Sequence, residues 1–133
     1  MSLWEKYVLP PLINLVMQNK AAMAERRKFV PQASGTVLEV GIGSGINIPL
    51  YAGEVERLLA VDPSLHLWRL ARKRLTRAPF PVEFVEGSAE SIPVDDKTFD
   101  SVVTTWTLCT IGNPVKALME MKRVLKPEGQ VIF

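Results

Sequence analysis

The segment Val37–Asn47, "VLEVGIGSGIN", decides how the rest of the chain is read. A mostly apolar run carrying one acid, Glu39, gives way to glycines on alternate positions, Gly41, Gly43 and Gly45. Without a Cβ, glycine takes up unusual backbone angles and lets another group approach the main chain closely. Alternating glycines straight after a buried strand therefore suggest a turn moulded against a ligand, although an ordinary tight turn would also use some of them. The spacing narrows the field. In the dinucleotide fingerprint G-x-G-x-x-G the third glycine would fall at position 46 or 48, and both are isoleucine, Ile46 and Ile48. A P-loop is excluded because no Gly-Lys-Ser/Thr follows. What stands is E-x-G-x-G-x-G, and a second acid, Asp62, closes the next apolar run.

Upstream, Leu12 to Phe29 reads as one amphipathic helix, with Leu12, Leu15, Val16 and Met23 near one face and Glu25 to Lys28 as a charged end. Residues 1–33 are taken as an N-terminal helical segment of a single domain covering 1–133. Downstream the elements alternate. "VERLLAVD" is a second strand, "VEFVEG" a third, "FDSVVTTWTLCT" a fourth, and "QVIF" the beginning of a fifth. Between them "PSLHLWRLARKRLTR" is a helix with Pro63 near its first position and basic residues in its last turns. "NPVKALMEMKRVL" is another, with Asn113 as N-cap and Pro114 at the first position, ended by the turn "KPEG". This alternation predicts an α/β fold, a Rossmann-like parallel sheet with right-handed crossovers and helices on both faces. Ligands of such sheets sit outside the carboxyl ends of the strands, where the winding reverses. The glycine turn lies at one such end.

Composition sets broad bounds. A chain of 133 residues is one small domain, and 47% hydrophobic residues suffice for a core. The net charge of +2 is too weak to argue for nucleic acid or an anionic membrane as partner. No apolar run reaches about 18 residues, so stable membrane insertion is not expected. The start lacks the basic-then-apolar order of a signal peptide. A single cysteine, Cys109, precludes an internal disulfide framework and suits a reducing, cytoplasmic setting. No cluster of side chains has metal-ligand spacing.

The ordered set "LEVGIGSG", "VDPS", "GSAESIP", "FDSVVTTWTLCTI" and "ALMEMKRVLKPEGQVIF" resembles the class I S-adenosylmethionine-dependent methyltransferases. The likeness is nearest to the small-molecule branch of the ubiquinone-biosynthesis type (methyltransferase type 11) and the methyltransferase-like thiol methylators. It covers Thr36 to the end of the chain. It implies S-adenosyl-L-methionine as cofactor, S-adenosyl-L-homocysteine as product, and a small-molecule methyl acceptor. Asp62 would accept the ribose hydroxyls in charge-assisted hydrogen bonds, and Pro63 follows it. Gly41, Gly43 and Gly45 would bring the main chain to the amino-acid tail, with Glu39 ordering the turn or meeting the tail's ammonium. Ser88, where relatives often carry an acid, and Ala89 would meet the adenine, with Glu90 near the mouth. Thr105 and Trp106 would lie beside the sulfonium, whose charge an aromatic face attracts. Trp106 reads equally well as a core residue.

Methyl transfer is an in-line displacement that depends on alignment and desolvation, so no catalytic residue is assigned. The resemblance also narrows the acceptor. The exit of the fourth strand reads "TTWT", where amino-methylating enzymes acting on adenine or glutamine show an Asn/Asp-Pro-Pro-aromatic tetrad, and the Pro-Cys of cytosine-C5 enzymes is absent. Cys109 is expected to be a buried apolar residue, and His66 to serve surface or packing. Related enzymes continue past the fifth strand with another helix and two further strands. An end at Phe133 therefore predicts either a cut fragment or a homodimer paired through the open sheet edge. The rival reading is a module that binds the cofactor without turning it over.

Overall fold

The computed structural model of the chain describes residues 2–16 and 18–133. A π-helical turn, Trp4–Val8, leads into α1 (Leu9–Val16). After it come α2 (Lys20–Phe29), β1 (Gly35–Val40), β2 (Val55–Asp62), α3 (Leu65–Leu75), β3 (Val82–Glu86), β4 (Phe99–Val103), α4 (Pro114–Val124) and β5 (Leu125–Ile132). The single helix expected over Leu12–Phe29 is therefore two. Asn19 is the reason: its backbone is extended, and its side-chain oxygen accepts the Ala22 N–H at 2.9 Å, an N-cap that starts α2 afresh. Met17 lies outside the described residues.

The strands form one parallel sheet in the order β3-β2-β1-β4-β5. The chain runs outward from β1 through β2 to β3, then returns to lay β4 on the other side of β1. The winding thus reverses at β1, and a crevice opens there beyond the strand ends. Side-chain alternation along β1 and β2 feeds two apolar clusters, one on each face. Val37, Leu58 and Ala60 join Val30, Ile48, Tyr51 and Ala71 on the α3 face. Leu38, Val40, Leu59 and Val61 join Ala117, Met121 and Val124 on the α4 face. The alternation also sends Glu39, between Leu38 and Val40, toward the α3 face.

Caps set the helix ends. Asn113 accepts the Lys116 N–H at 3.0 Å ahead of Pro114, as expected for α4. In α3 the cap is Ser64, whose hydroxyl accepts the Leu67 N–H at 3.2 Å, so Pro63 stands before the helix and not inside its first turn. The "KPEG" turn lies within β5 as a bulge. Pairing jumps from Phe99 with Leu125 to Ser101 with Gln130.

The chain leaving β1 makes a compact turn that reaches a short 3₁₀ helix, Ile48–Leu50. Gly45 adopts φ +75° there, and a Cβ on it would stand 2.8 Å from both the Ala71 Cβ and the Ile48 Cδ1. Gly43, at φ +57°, faces open space, with only Leu67 Cδ1 at 3.9 Å. Gly45→Ala therefore meets both left-handed strain and overpacking, and should lower the unfolding free energy by about 2–4 kcal/mol. Gly43→Ala should cost only about 1 kcal/mol of strain. Urea denaturation of the two variants side by side checks the order; equal losses would contradict this account of the turn.

Candidate functional site

A cleft of about 450 Å³ opens at the carboxyl ends of β1, β2 and β4. Its floor is the turn after β1, and its walls are the β2–α3 connection, Gly87–Glu90 and Thr105–Thr107. Asp62, the last residue of β2, organises it. Its Oδ2 accepts the Gly43 N–H at 2.8 Å, and its Oδ1 accepts the Ser64 N–H at 2.7 Å. One carboxylate thereby ties the glycine turn to the start of α3. Burial raises the Asp62 pKa, opposed by these two backbone donors. Each carboxylate oxygen retains further acceptor capacity for a donor entering the cleft.

Beneath the turn lies a second acid. Glu39 is buried and receives the Asn47 Nδ2 at 2.6 Å on Oε1 and the Tyr51 hydroxyl at 2.8 Å on Oε2. Burial pushes its pKa up to about 7, although both hydrogen bonds and the Arg26 charge pull it down. Asn47 continues the network. Its Oδ1 accepts Arg26 Nη1 at 2.7 Å, and the same Nη1 donates to Thr105 Oγ1 at 2.7 Å. The Arg26 guanidinium also lies over the Trp106 ring, 4.8 Å from its centroid. A buried chain of polar groups thus joins α2, the glycine turn and the exit of β4.

Trp106 itself sits at φ +51°, a left-handed conformation that non-glycine residues rarely adopt. The Thr107 hydroxyl donates to the Thr105 carbonyl at 3.0 Å and braces this bend. Packing closes it from below, because a Cβ on Gly41 would collide with the Thr107 side chain. On the opposite wall the Ser88 hydroxyl accepts the Glu90 N–H at 3.1 Å. Glu90 Oε1 accepts the Asn113 N–H at 3.0 Å, holding the entrance to the start of α4.

Of the residues singled out in the sequence, Gly41, Gly43, Asp62, Pro63, Ser88, Ala89, Glu90, Thr105 and Trp106 line this one cleft. Glu39 and Gly45 do not: Glu39 is sealed below the turn, and Gly45 packs on α3. Trp106 is 47% exposed, so its reading as a core residue is overturned. Cys109, expected to be buried, is exposed. Arg26, Asn47 and Tyr51 escaped the sequence reading. In the sequence Arg26 falls in the charged end of a helix, yet it is only 5% exposed. Its signal was the four-residue spacing Ala22, Arg26, Val30, which places a cation on the buried stripe.

Known proteins resemble the chain in sequence and in fold. A family described as a methyltransferase domain matches residues 38–133. The chain is similar to a demethylmenaquinone methyltransferase of Clavibacter sepedonicus, at 33% identity over 84% of this chain and 45% of the relative. It is also similar to a thiol S-methyltransferase of Homo sapiens, at 33% identity over 95% of this chain and 54% of the relative. Among solved structures, a putative methyltransferase from Bacillus halodurans superposes with a TM-score of 0.72 at 27% identity, covering 84% of this chain and 49% of that one. The chain spans about half the length of the curated relatives it matches.

The raised pKa of Glu39 has a consequence for stability. The unfolded chain ionises this acid near its ordinary value of 4.5, whereas the folded chain keeps the proton until about pH 7. The folded state therefore binds more protons between those values, and stability falls as pH rises across that window. The loss is at most about 3 kcal/mol, the free-energy equivalent of the displacement. Glu39→Gln cannot ionise and lacks this slope. Urea midpoints at pH 5 and pH 7.5 should show the parent losing stability relative to Glu39→Gln; a constant difference would refute the protonated buried acid.

Proposed function

From the premise that this chain belongs to the class I S-adenosylmethionine-dependent methyltransferase family, we propose that its cleft holds S-adenosyl-L-methionine and that the protein methylates a small molecule. The observation that carries the reading is Asp62. Its carboxylate ends the strand beside the glycine turn and is anchored by the Gly43 and Ser64 N–H groups with acceptor capacity to spare. A ribose diol offers the two donors such a carboxylate can take. The chain's residues fit the cofactor in shape as well, since Gly43 presents main chain to open space where a side chain would intrude.

The group would be held by Asp62 and Pro63 at its ribose, by Gly41 and Gly43 along its amino-acid tail, and by Ser88, Ala89 and Glu90 at its adenine. Bound there, it supplies an electrophilic methyl group on a sulfonium. The chain's own part is alignment and exclusion of water. Thr105 is fixed by its bonds to Arg26 and Asn47, and the bend at Trp106 presents an aromatic ring at the cleft edge. Glu39 orders the turn from beneath through Asn47 and Tyr51. A small-molecule acceptor is supported by the quinone-type and thiol methyltransferases among the relatives. The reading further includes a cytoplasmic setting and pairing of two copies along the outer edge of β5.

Titration calorimetry of the 133-residue chain tests the site. S-adenosylmethionine and S-adenosylhomocysteine should both bind, and Asp62→Ala should weaken them by about tenfold or more, the equivalent of about 1.4 kcal/mol. Undiminished binding by Asp62→Ala would sink the site assignment. Release of S-adenosylhomocysteine with a panel of quinol, thiol and amine acceptors separates turnover from the rival reading, a module that binds without transfer. Tight NADH binding would favour an oxidoreductase instead.

A further inference from the structure

The cleft wall at residues 87–90 has little structure of its own. It belongs to the connection between β3 and β4, which contains no helix and only the bridge of Ser88 with Ser91. The Gly87 N–H donates to the Asp62 carbonyl at 3.2 Å and fixes the start of the wall. Within it, the Ser91 N–H donates to the Ser88 carbonyl at 3.2 Å and the Glu90 N–H to the Ser88 hydroxyl at 3.1 Å. What fixes its far end lies outside the cleft, on α4.

Arg123, partly buried in the last turn of α4, has an acceptor for each of its five N–H donors. Nε and Nη2 fork onto Glu120, at 2.7 Å to Oε1 and 2.9 Å to Oε2. Nη2 also donates to the Ile92 carbonyl at 2.9 Å, and Nη1 to the Val94 carbonyl at 2.9 Å and Asp96 Oδ1 at 2.7 Å. Glu120 completes the grip, because its Oε2 accepts the Ile92 N–H at 2.8 Å. Both main-chain polar groups of Ile92 are thereby taken by one ion pair, while its side chain is buried in the cluster with Ala117 and Met121. At the other end of the same helix the N-cap Asn113 donates its N–H to Glu90. The helix thus acts as a splint, gripping Glu90 with its first turn and residues 92–96 with its last.

Neither Glu120 nor Arg123 lines the cleft, but the wall they brace does. At its centre is Ala89, whose N–H makes no hydrogen bond to the described residues. A bond from such a donor to a base edge depends steeply on where the wall stands. Resting on the cofactor reading above, we propose that Glu120 and Arg123 are positioning residues for base recognition: by fixing residues 92–96 to α4 they set the Ala89 N–H where it selects adenine over a base lacking the matching acceptor.

Calorimetry with two ligands tests this, S-adenosylhomocysteine and S-inosylhomocysteine, whose hypoxanthine carries a proton on a ring nitrogen that accepts in adenine. The parent should favour the adenine form about tenfold or more. Arg123→Met retains an apolar stem and removes every donor. It should bring the two ligands within about threefold, chiefly by weakening the adenine form. Arg123→Lys, with a point charge in place of the fork, should recover only part of the preference. Glu120→Gln keeps the shape but loses one acceptor, and should narrow the preference to a lesser extent; it carries the test if Arg123→Met does not fold. A pair that served stability alone would leave the ratio of the two affinities unchanged in the folded variants, and that result overturns the proposal. So does a parent that binds both ligands alike. If the parent binds neither, the cofactor reading itself fails, which is a different result.

Discussion

A carboxylate buried at the middle strand of the sheet dictates much of what surrounds it. Strand alternation turns Glu39 inward, onto the face that α3 covers, where an unsatisfied acid would cost several kcal/mol. The fold answers with an amide and a phenol: Asn47 and Tyr51 each donate to one of its oxygens. Both come from the segment that follows the glycines. The acid therefore ties down the chain after it leaves β1, and a tight turn with left-handed glycines brings Asn47 back over Glu39.

From that point the polar contacts propagate outward. Asn47 is shared by Glu39 and Arg26, Arg26 by Asn47 and Thr105, and Thr105 stands next to the strained Trp106. Three segments distant in sequence, α2, the turn after β1 and the exit of β4, meet in one hydrogen-bonded system of low exposure. Such a network is rigid when complete, because most of its members are buried and satisfied by one another. It forms the base of the cleft, while Asp62 and its two backbone donors form the rim. The site is thus built in two layers, a largely buried one that holds the turn in shape and an open one that faces the cleft.

The division explains the differing duties of three similar glycines. Each has a positive φ, but the reasons for their bareness diverge. Gly41 makes room for the Thr107 side chain and Gly45 for Ala71 and Ile48, while Gly43 alone looks into open space. Membership of the methyltransferase family is compatible with this arrangement and does not by itself reveal it. The same spacing in a sequence can serve packing at two positions and leave bare main chain facing open space at the third.

Strand and helix periodicity, the turn residues and the two acids at strand ends were enough to determine the parallel α/β architecture and the neighbourhood of the cleft. Those signals are local, carried by residues a few positions apart, and β2, β3 and α4 lie where they indicated. The break at Asn19 was lost because a short polar residue inside an amphipathic pattern reads as tolerable until its side chain is seen capping the next turn. Which acid faces the cleft and which is sealed, which glycine faces open space, and the burial of Arg26 were decided only by the tertiary structure. The physical reason is that burial and hydrogen-bond partnership are properties of segments brought together. Arg26 and Thr105 are 79 positions apart, and no pattern along the chain records that they touch.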